Sequence, residues 1–179
     1  MSHDGLQEKS GEVLVCIDEI VALKRSALEK LAQMAAGSPK SRARICAHKD
    51  GAATIQEMII LINRASYVSP HRHQSKCESF HLIQGGADIV VFRDDGEIEK
   101  VIQFSKDHAF YYRLDTARFH TIVVRSETIV FHEVTNGPFI PGATEYARFA
   151  PREGEVGVDA YRASLDNQIK KWLTSNPNQ

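Results

Sequence analysis

Apolar residues recur along this chain in two rhythms. Between residues 19 and 36, Ile20, Leu23, Ala27, Leu28, Leu31 and Met34 fall three or four apart, which predicts a helix with one apolar face. Asp18 supplies an N-cap, and Gly37 with Pro39 supplies a stop. A short strand over residues 11–17 precedes this helix, and residues 1–10, which are polar, are expected to fray. A second helix over 158–173 carries Tyr161, Leu165, Ile169 and Trp172 at helical spacing, with a disordered tail at 175–179. Between the helices the period drops to two. Strands are predicted over 55–62, 88–93, 98–104, 110–114, 119–124 and 128–134, with a turn at Asp94, Asp95 and Gly96. The strand at 55–62 is apolar on both faces, so it needs cover on both: the barrel interior on one side and a helix or a second subunit on the other. Residues 136–157 hold three prolines and four glycines and read as a long surface loop without regular structure.

Many short strands with close turns imply a mainly β protein, an antiparallel sandwich or barrel flanked by two helices. With 179 residues, one domain is expected. It divides into an N-terminal helical extension at 1–50 that packs on the barrel, the barrel at 51–150, and a C-terminal helix and tail at 151–179.

Charge narrows the partners. Lys and Arg number 22 against 23 Asp and Glu, so no global field favours nucleic acid or an anionic membrane, and a small-molecule ligand is expected. The longest uninterrupted apolar run, residues 58–62, is too short to span a bilayer, and no signal-like segment opens the chain. A soluble cytoplasmic protein is expected. Cys16, Cys46 and Cys77 fit neither a disulfide framework nor a zinc CxxC pair and are read as free thiols.

The densest chemistry lies at residues 71–85. In a strand His71 and His73 point the same way, whereas Glu78 would point away if the strand ran straight on. A turn over residues 74–77 returns Glu78 towards the imidazoles from a neighbouring antiparallel strand, with Phe80 and Leu82 on its face and His81 on the other. A fourth donor is sought on a later strand. His120 shares a face with Ile122 and Val124, which marks the interior, and is the candidate fourth metal ligand beside His71, His73 and Glu78, although a lone buried histidine is more often hydrogen-bonded core. The other histidines are set aside: His81 and His132 face outwards, His108 lies in a turn and His3 in the tail. On its own, an HxH pair in a strand is often solvent-facing and chemically idle.

Other polar residues stand near this frame. Glu133 sides with Ile129 and Phe131, which puts a carboxylate in the interior, where it needs a partner from Arg64, Arg113, Tyr67 or Tyr112. It is a candidate general base, or half of a structural ion pair, with Tyr67 and Tyr112 as further proton-transfer candidates. Arg42, Arg44 and His48 form a basic cluster before the sheet. Its plain reading is a solvated linker, and its alternative is a site for a substrate's anionic group, with Arg64 and Arg113 as further candidates.

The spacing His71, His73, Glu78, Gly85 resembles the first signature of the cupin superfamily. In the second signature the proline, glycine and asparagine positions hold Asp115, Ala117 and Val124, so the likeness there rests on His120. More narrowly, Arg42 and Arg44, Met58, Arg64 to Tyr67, Pro70 to His73, the Phe92 to Gly96 turn, His120, Glu133 and Gly137 to Phe139 resemble the WbuC-type cupin-fold metalloproteins over residues 40–150. The resemblance implies a double-stranded β-helix, the cupin jelly-roll barrel, holding one divalent transition metal ion. It also implies a context in bacterial surface-polysaccharide biosynthesis.

Three functions follow as expectations. The first is a small metalloenzyme acting on a sugar or sugar nucleotide, with zinc, iron, manganese or nickel leaving open positions for substrate oxygens. The second is an iron(II)-dependent dioxygenase on a small organic substrate. The third is a non-catalytic ligand-binding homodimer with a structural or sensory metal, its two-faced apolar strand serving the interface. The residues leave open whether the site is catalytic.

Overall fold

The computed structural model describes residues 5–177. Among these the chain runs β1 (Leu6–Ser10), β2 (Val13–Cys16), α1 (Arg25–Gly37), β3 (Arg42–Cys46), β4 (Ile55–Asn63), β5 (His71–His73), β6 (Glu78–Gln84) and β7 (Gly86–Phe92). It continues through β8 (Ile98–Ser105), β9 (Tyr111–Leu114), β10 (Phe119–Val124), β11 (Thr128–Asn136), β12 (Thr144–Tyr146) and α2 (Val158–Ser175). The strands form two facing sheets, one in the order β1-β2-β3-β4-β11-β6-β9 and the other β12-β5-β10-β7-β8. All pairings are antiparallel except β2 with β3, which are parallel and joined through α1.

Side-chain alternation sorts the apolar residues into three cores. Ile62, Phe80, Ile89, Phe104, Ile129 and Phe131 fill the space between the sheets. Ala27, Leu31 and Ala35 of α1 pack on the outer face of the larger sheet against Leu14, Ala43, Ile45, Leu61 and Val130. Leu165 and Ile169 of α2 cover the other sheet against Val90, Phe92, Val101 and Phe119. Each fully buried Leu, Ile or Phe contributes about 1.5–3 kcal/mol of transfer free energy, so both helices are fixed by their stripes. The two-faced strand is explained by the same layering: Ile60 and Ile62 of β4 face the barrel, while Ile59 and Leu61 face α1. Cover from α1 removes that strand's need for a second subunit.

Several expectations are corrected. Helix α1 begins at Arg25 rather than at residue 19; Lys24 precedes it without a side-chain cap, and Ile20 is 87% exposed. Thirteen residues already span about 20 Å, longer than the four- and five-residue strands it bridges, so another turn would overhang the sheet with nothing to pack on. Residues 6–10, expected to fray, form β1, an exposed edge strand paired with β2, which accounts for their polarity. The basic segment read as a linker is β3, with Ala43 and Ile45 turned to the helix. Residues 1–50 therefore supply three strands as well as a helix. The loop at 136–157 contains β12, which pairs with β5. Helix α2 runs two residues past its expected end, to Ser175, and residues 178 and 179 lie outside the described residues. No helix among the described residues is long and apolar enough to cross a membrane.

Candidate metal centre

The three imidazoles come from two adjacent strands of the smaller sheet. His71 and His73 are on β5, and His120 of β10 is the direct cross-strand partner of His71. Alternation puts all three in the barrel, with ring centroids 5.2 Å apart for His71 and His73 and 4.6 Å for His71 and His120. Glu78 arrives differently from the expectation. β5 and β6 are not paired neighbours but belong to opposite sheets, so residues 74–77 carry the chain across the barrel and Glu78 faces the histidines from the far wall. Glu78 is buried, 6% exposed. Oε1 lies 3.2 Å from His73 Nε2, and Oε2 lies 3.0 Å from His120 Nε2.

The outward ring nitrogens are each held. His71 Nδ1 meets the Ser69 carbonyl at 2.9 Å and His120 Nδ1 the Arg118 carbonyl at 3.0 Å, the same two-residue return in both. His73 Nδ1 lies 3.4 Å from Thr144 Oγ1 on β12. A carbonyl only accepts, so Nδ1 of His71 and His120 carries the proton, and in the neutral rings Nε2 presents a lone pair to the barrel. Burial, then the neighbouring His120, pushes His71 down to about 4, which keeps that ring neutral at ordinary pH. Burial pushes Glu78 upward, but hydrogen bonds with His120 and His73 outweigh it and hold the carboxyl well below the usual range.

The lone pair has a consequence. A neutral His120 sets an acceptor nitrogen against an acceptor oxygen at 3.0 Å, a repulsive pair unless a proton or a cation lies between. Two ligands at right angles, each about 2.1 Å from one ion, stand about 3 Å apart, so the His120–Glu78 pair has the spacing of two ligands on one transition metal ion. Among the described residues no group of three or more His, Cys, Asp or Glu side chains is placed to hold a metal ion as it stands; Glu78 instead has an imidazole on each oxygen.

Beside the cluster lies a cavity of about 670 Å³. Its inner walls are apolar, with Ile60, Phe80, Ile122 and Phe131, and Glu133 stands among them. Glu133 is half-buried, its carboxyl on the cavity wall; burial, then the charge of Glu78, pushes it up to about 8. The cations that pull the other way are Arg44 and Lys76, not the partners expected from sequence.

Those expected partners are engaged elsewhere. Arg64 is exposed and donates to the carbonyls of Arg125 and Ser126, and Arg113 pairs loosely with Asp115 at 3.7 Å. Tyr67 donates to the Pro151 carbonyl at 2.8 Å and packs edge-on to Tyr161, outside this cavity. Tyr112 is buried against Phe80, 5.4 Å between centroids, and its hydroxyl has no hydrogen-bond partner among the described residues. Burial, then Glu78, raises its pKa further. Arg42 lines the cavity but is bound bidentately by Glu153 at 2.7 and 2.8 Å and also donates to Ser66 Oγ and the Tyr67 carbonyl. Arg44 lines the cavity from the next inward-facing position of β3.

The remaining histidines lie away from the centre. His81 is exposed beside Phe110, His132 faces outwards 3.6 Å from Glu57, and His108 sits in a turn on Ser105 Oγ. His48 Nδ1 is tied to the Glu57 backbone, and His3 lies outside the described residues. Thr144, Tyr146, Arg152 and Glu153 complete the cavity but were missed, because they fall in the stretch whose prolines and glycines read as loop. The Thr-Glu-Tyr alternation of β12 was the available signal.

A family model described as a domain of unknown function (DUF6016) matches residues 23–104, just under half of the chain. Among curated proteins none matches the sequence. Of the solved structures, protein SO0799 from Shewanella oneidensis is 11% identical over 57% of this chain and 72% of its own, with a TM-score of 0.49. The capsular polysaccharide assembling protein CapF from Staphylococcus aureus is 17% identical over 59% of this chain, with a TM-score of 0.46. The match spans only 29% of CapF. A cupin 2 conserved barrel domain protein from Rhodopseudomonas palustris is 13% identical over 54% of this chain and 61% of its own, with a TM-score of 0.43. Two facing, mainly antiparallel sheets, with three histidines on one and a glutamate on the other, give this chain a mainly β jelly-roll barrel.

Proposed function

We propose that the chain is a metal-dependent cupin in which His71, His73, Glu78 and His120 hold one divalent transition metal ion beside a pocket for a small, oxygen-rich substrate of the sugar or sugar-nucleotide class. The observation that carries this reading is His120 Nε2 set 3.0 Å from a carboxylate oxygen while the ring's other nitrogen is committed to a carbonyl. The sugar class rests on the sequence resemblance to WbuC-type proteins and on a cavity whose floor is apolar and whose mouth is charged.

A bound divalent ion would supply Lewis-acid polarisation of a substrate carbonyl or hydroxyl. The residues of the chain do the rest. Ser69, Arg118 and Thr144 hold the Nδ1 side of the rings and so orient their Nε2 atoms towards the barrel. Ile60, Phe80, Ile122 and Phe131 exclude water from the reacting end. Glu133, protonated at neutral pH on its cavity wall, is placed to give a proton to substrate and take one back.

The reading is tested by stripping the full chain with a chelator and titrating zinc, manganese, iron(II) and nickel calorimetrically against wild type and a His71→Ala, His73→Ala double variant. One ion per chain bound by wild type and lost in the folded variant supports it. Equal binding by both sinks it. Turnover or binding across a panel of aldoses and sugar nucleotides then tests the substrate class, and silence across the panel removes the sugar reading while leaving the metal.

A further inference from the structure

The cavity mouth is built from two walls that the sequence keeps far apart: β3 on the larger sheet and the strap that follows β12. Four cations line it, Lys40, Arg42, Arg44 and Arg152, with two carboxylates, Glu12 and Glu153. The carboxylates are already occupied. Glu153 is held bidentately by Arg42, and Glu12 accepts from Ser38 Oγ at 2.8 Å and lies 3.9 Å from Lys40 Nζ. Among the described residues Arg44 and Arg152 form no ion pair with any carboxylate. Arg44 reaches Cys46 along its own strand, and Glu133 feels its charge without closing on it. Arg152 rests over the Tyr146 ring, 4.9 Å from its centroid, and that ring stands 6.2 Å from His71.

We propose that the substrate of this cavity carries an anionic group, a phosphate or a carboxylate, and that Arg44 and Arg152 grip it from the two sides of the mouth. This deepens the reading given above and rests on it only for the metal end of the cavity. An exposed arginine on an ordinary surface is simply solvated. Here two of them, one from each wall, face one concavity lined with apolar side chains, where water screens their field less than at a convex surface. Guanidinium groups bind phosphate and carboxylate through paired N–H donors, and the Tyr146 platform orients one of them in advance. The spare charge lies on the mouth, not beside Glu78. The anion therefore anchors the far end of a substrate whose neutral hydroxyl or carbonyl end reaches the imidazoles.

Calorimetric titration of the full chain, zinc-loaded and chelator-stripped, with glucose 1-phosphate, glucuronate and glucose tests this. At least one anionic sugar should bind about tenfold or more tightly than glucose. Arg44→Gln and Arg152→Gln should each remove most of that advantage, whereas Arg113→Gln, outside the cavity, should not. Preference for glucose 1-phosphate or glucuronate identifies phosphate or carboxylate as the anion. Equal affinity for all three sugars, no binding of any, or indifference to both cavity substitutions in variants with unchanged thermal midpoints overturns the proposal. If zinc fails to bind but the Arg-dependent preference persists, the anion site stands and the metal reading falls.

Discussion

His120 Nε2 stands 3.0 Å from Glu78 Oε2 across the gap between the two sheets, while His120 Nδ1 is spent on the Arg118 carbonyl. A neutral ring cannot donate from both nitrogens, so this contact needs a cation, either a proton on His120 or a metal between the pair. The two cases separate on heating. If a metal fills the gap, excess zinc at one hundred times its dissociation constant stabilises the fold by about 2.7 kcal/mol and raises the melting temperature of the stripped protein. His120→Ala should abolish most of that rise. A zinc-induced shift of the same size in wild type and variant, followed by differential scanning fluorimetry, would show that the ion binds elsewhere.

Opposite displacements of two groups shape the acid–base stability of the stripped protein. His71 is pushed down to about 4 from an ordinary value near 6.5, so the unfolded chain binds more protons over that window and stability rises with pH through it. Glu133 is pushed up to about 8 from 4.5, so the folded chain binds more protons and stability falls with pH from 4.5 to 8. Each slope has a ceiling of about 1.4 kcal/mol per pH unit, and half-burial makes that of Glu133 shallower. Between 4.5 and 6.5 they oppose each other, and between 6.5 and 8 only Glu133 acts. Urea midpoints of wild type should thus decline from pH 6.5 to 8, and those of Glu133→Gln should stay level there. A parallel decline in the variant assigns the effect to another group.

How far the sequence discloses this site follows from the reach of each signal. Alternation is local, so it put His71, His73, His120 and Glu133 on interior faces. The turn after His73 was recognisable, but whether it leads to a hairpin or to a crossing is decided by which strands pair. β6 pairs with β9 and β11, far along the chain, rather than with β5. The cation whose charge acts on Glu133 was missed for a similar reason: Arg44 lies on β3, whose alternating arginines looked like a charged linker until Ala43 and Ile45 met α1. Arg152 was invisible because no periodicity marks a strap, whose place is set by single bonds such as Glu153 N–H to Ser69 Oγ at 2.8 Å.

Gly85, part of the motif that suggested the fold, acts through backbone rather than chemistry. Its φ is +82°, and a Cβ there would stand 2.1 Å from the Thr128 carbonyl oxygen, with Ser126 Oγ 2.7 Å away. Neither the strain nor the backbone clash can relax through a flexible side chain. Gly85→Ala should therefore cost a few kcal/mol, on the order of the larger single-residue losses, measured by chemical denaturation. The fraction that folds should retain wild-type zinc affinity, because no metal-facing atom is changed. A variant of full stability would mean that the β6 to β7 turn re-forms without its left-handed residue.

The clasp between Arg42 and Glu153 separates stability from local order. Both side chains are about a quarter to a third exposed, so the pair is screened, and its loss in Glu153→Gln should change global stability by no more than about 1 kcal/mol. Its position matters more than its strength. Glu153 ties the strap to β3 through two guanidinium bonds, while Ala147 N–H to the Pro70 carbonyl and β12 on β5 hold the strap's start. Loosening the far end alone should speed amide exchange over residues 150–155 and leave β12 protected, as read by hydrogen–deuterium exchange. The same substitution frees Arg42 as a third unpaired cation at the mouth, so affinity for an anionic sugar should rise rather than fall. Unchanged exchange across 150–155 would mean that the Tyr67 hydroxyl on the Pro151 carbonyl and the Ser69 contact secure the strap without the ion pair.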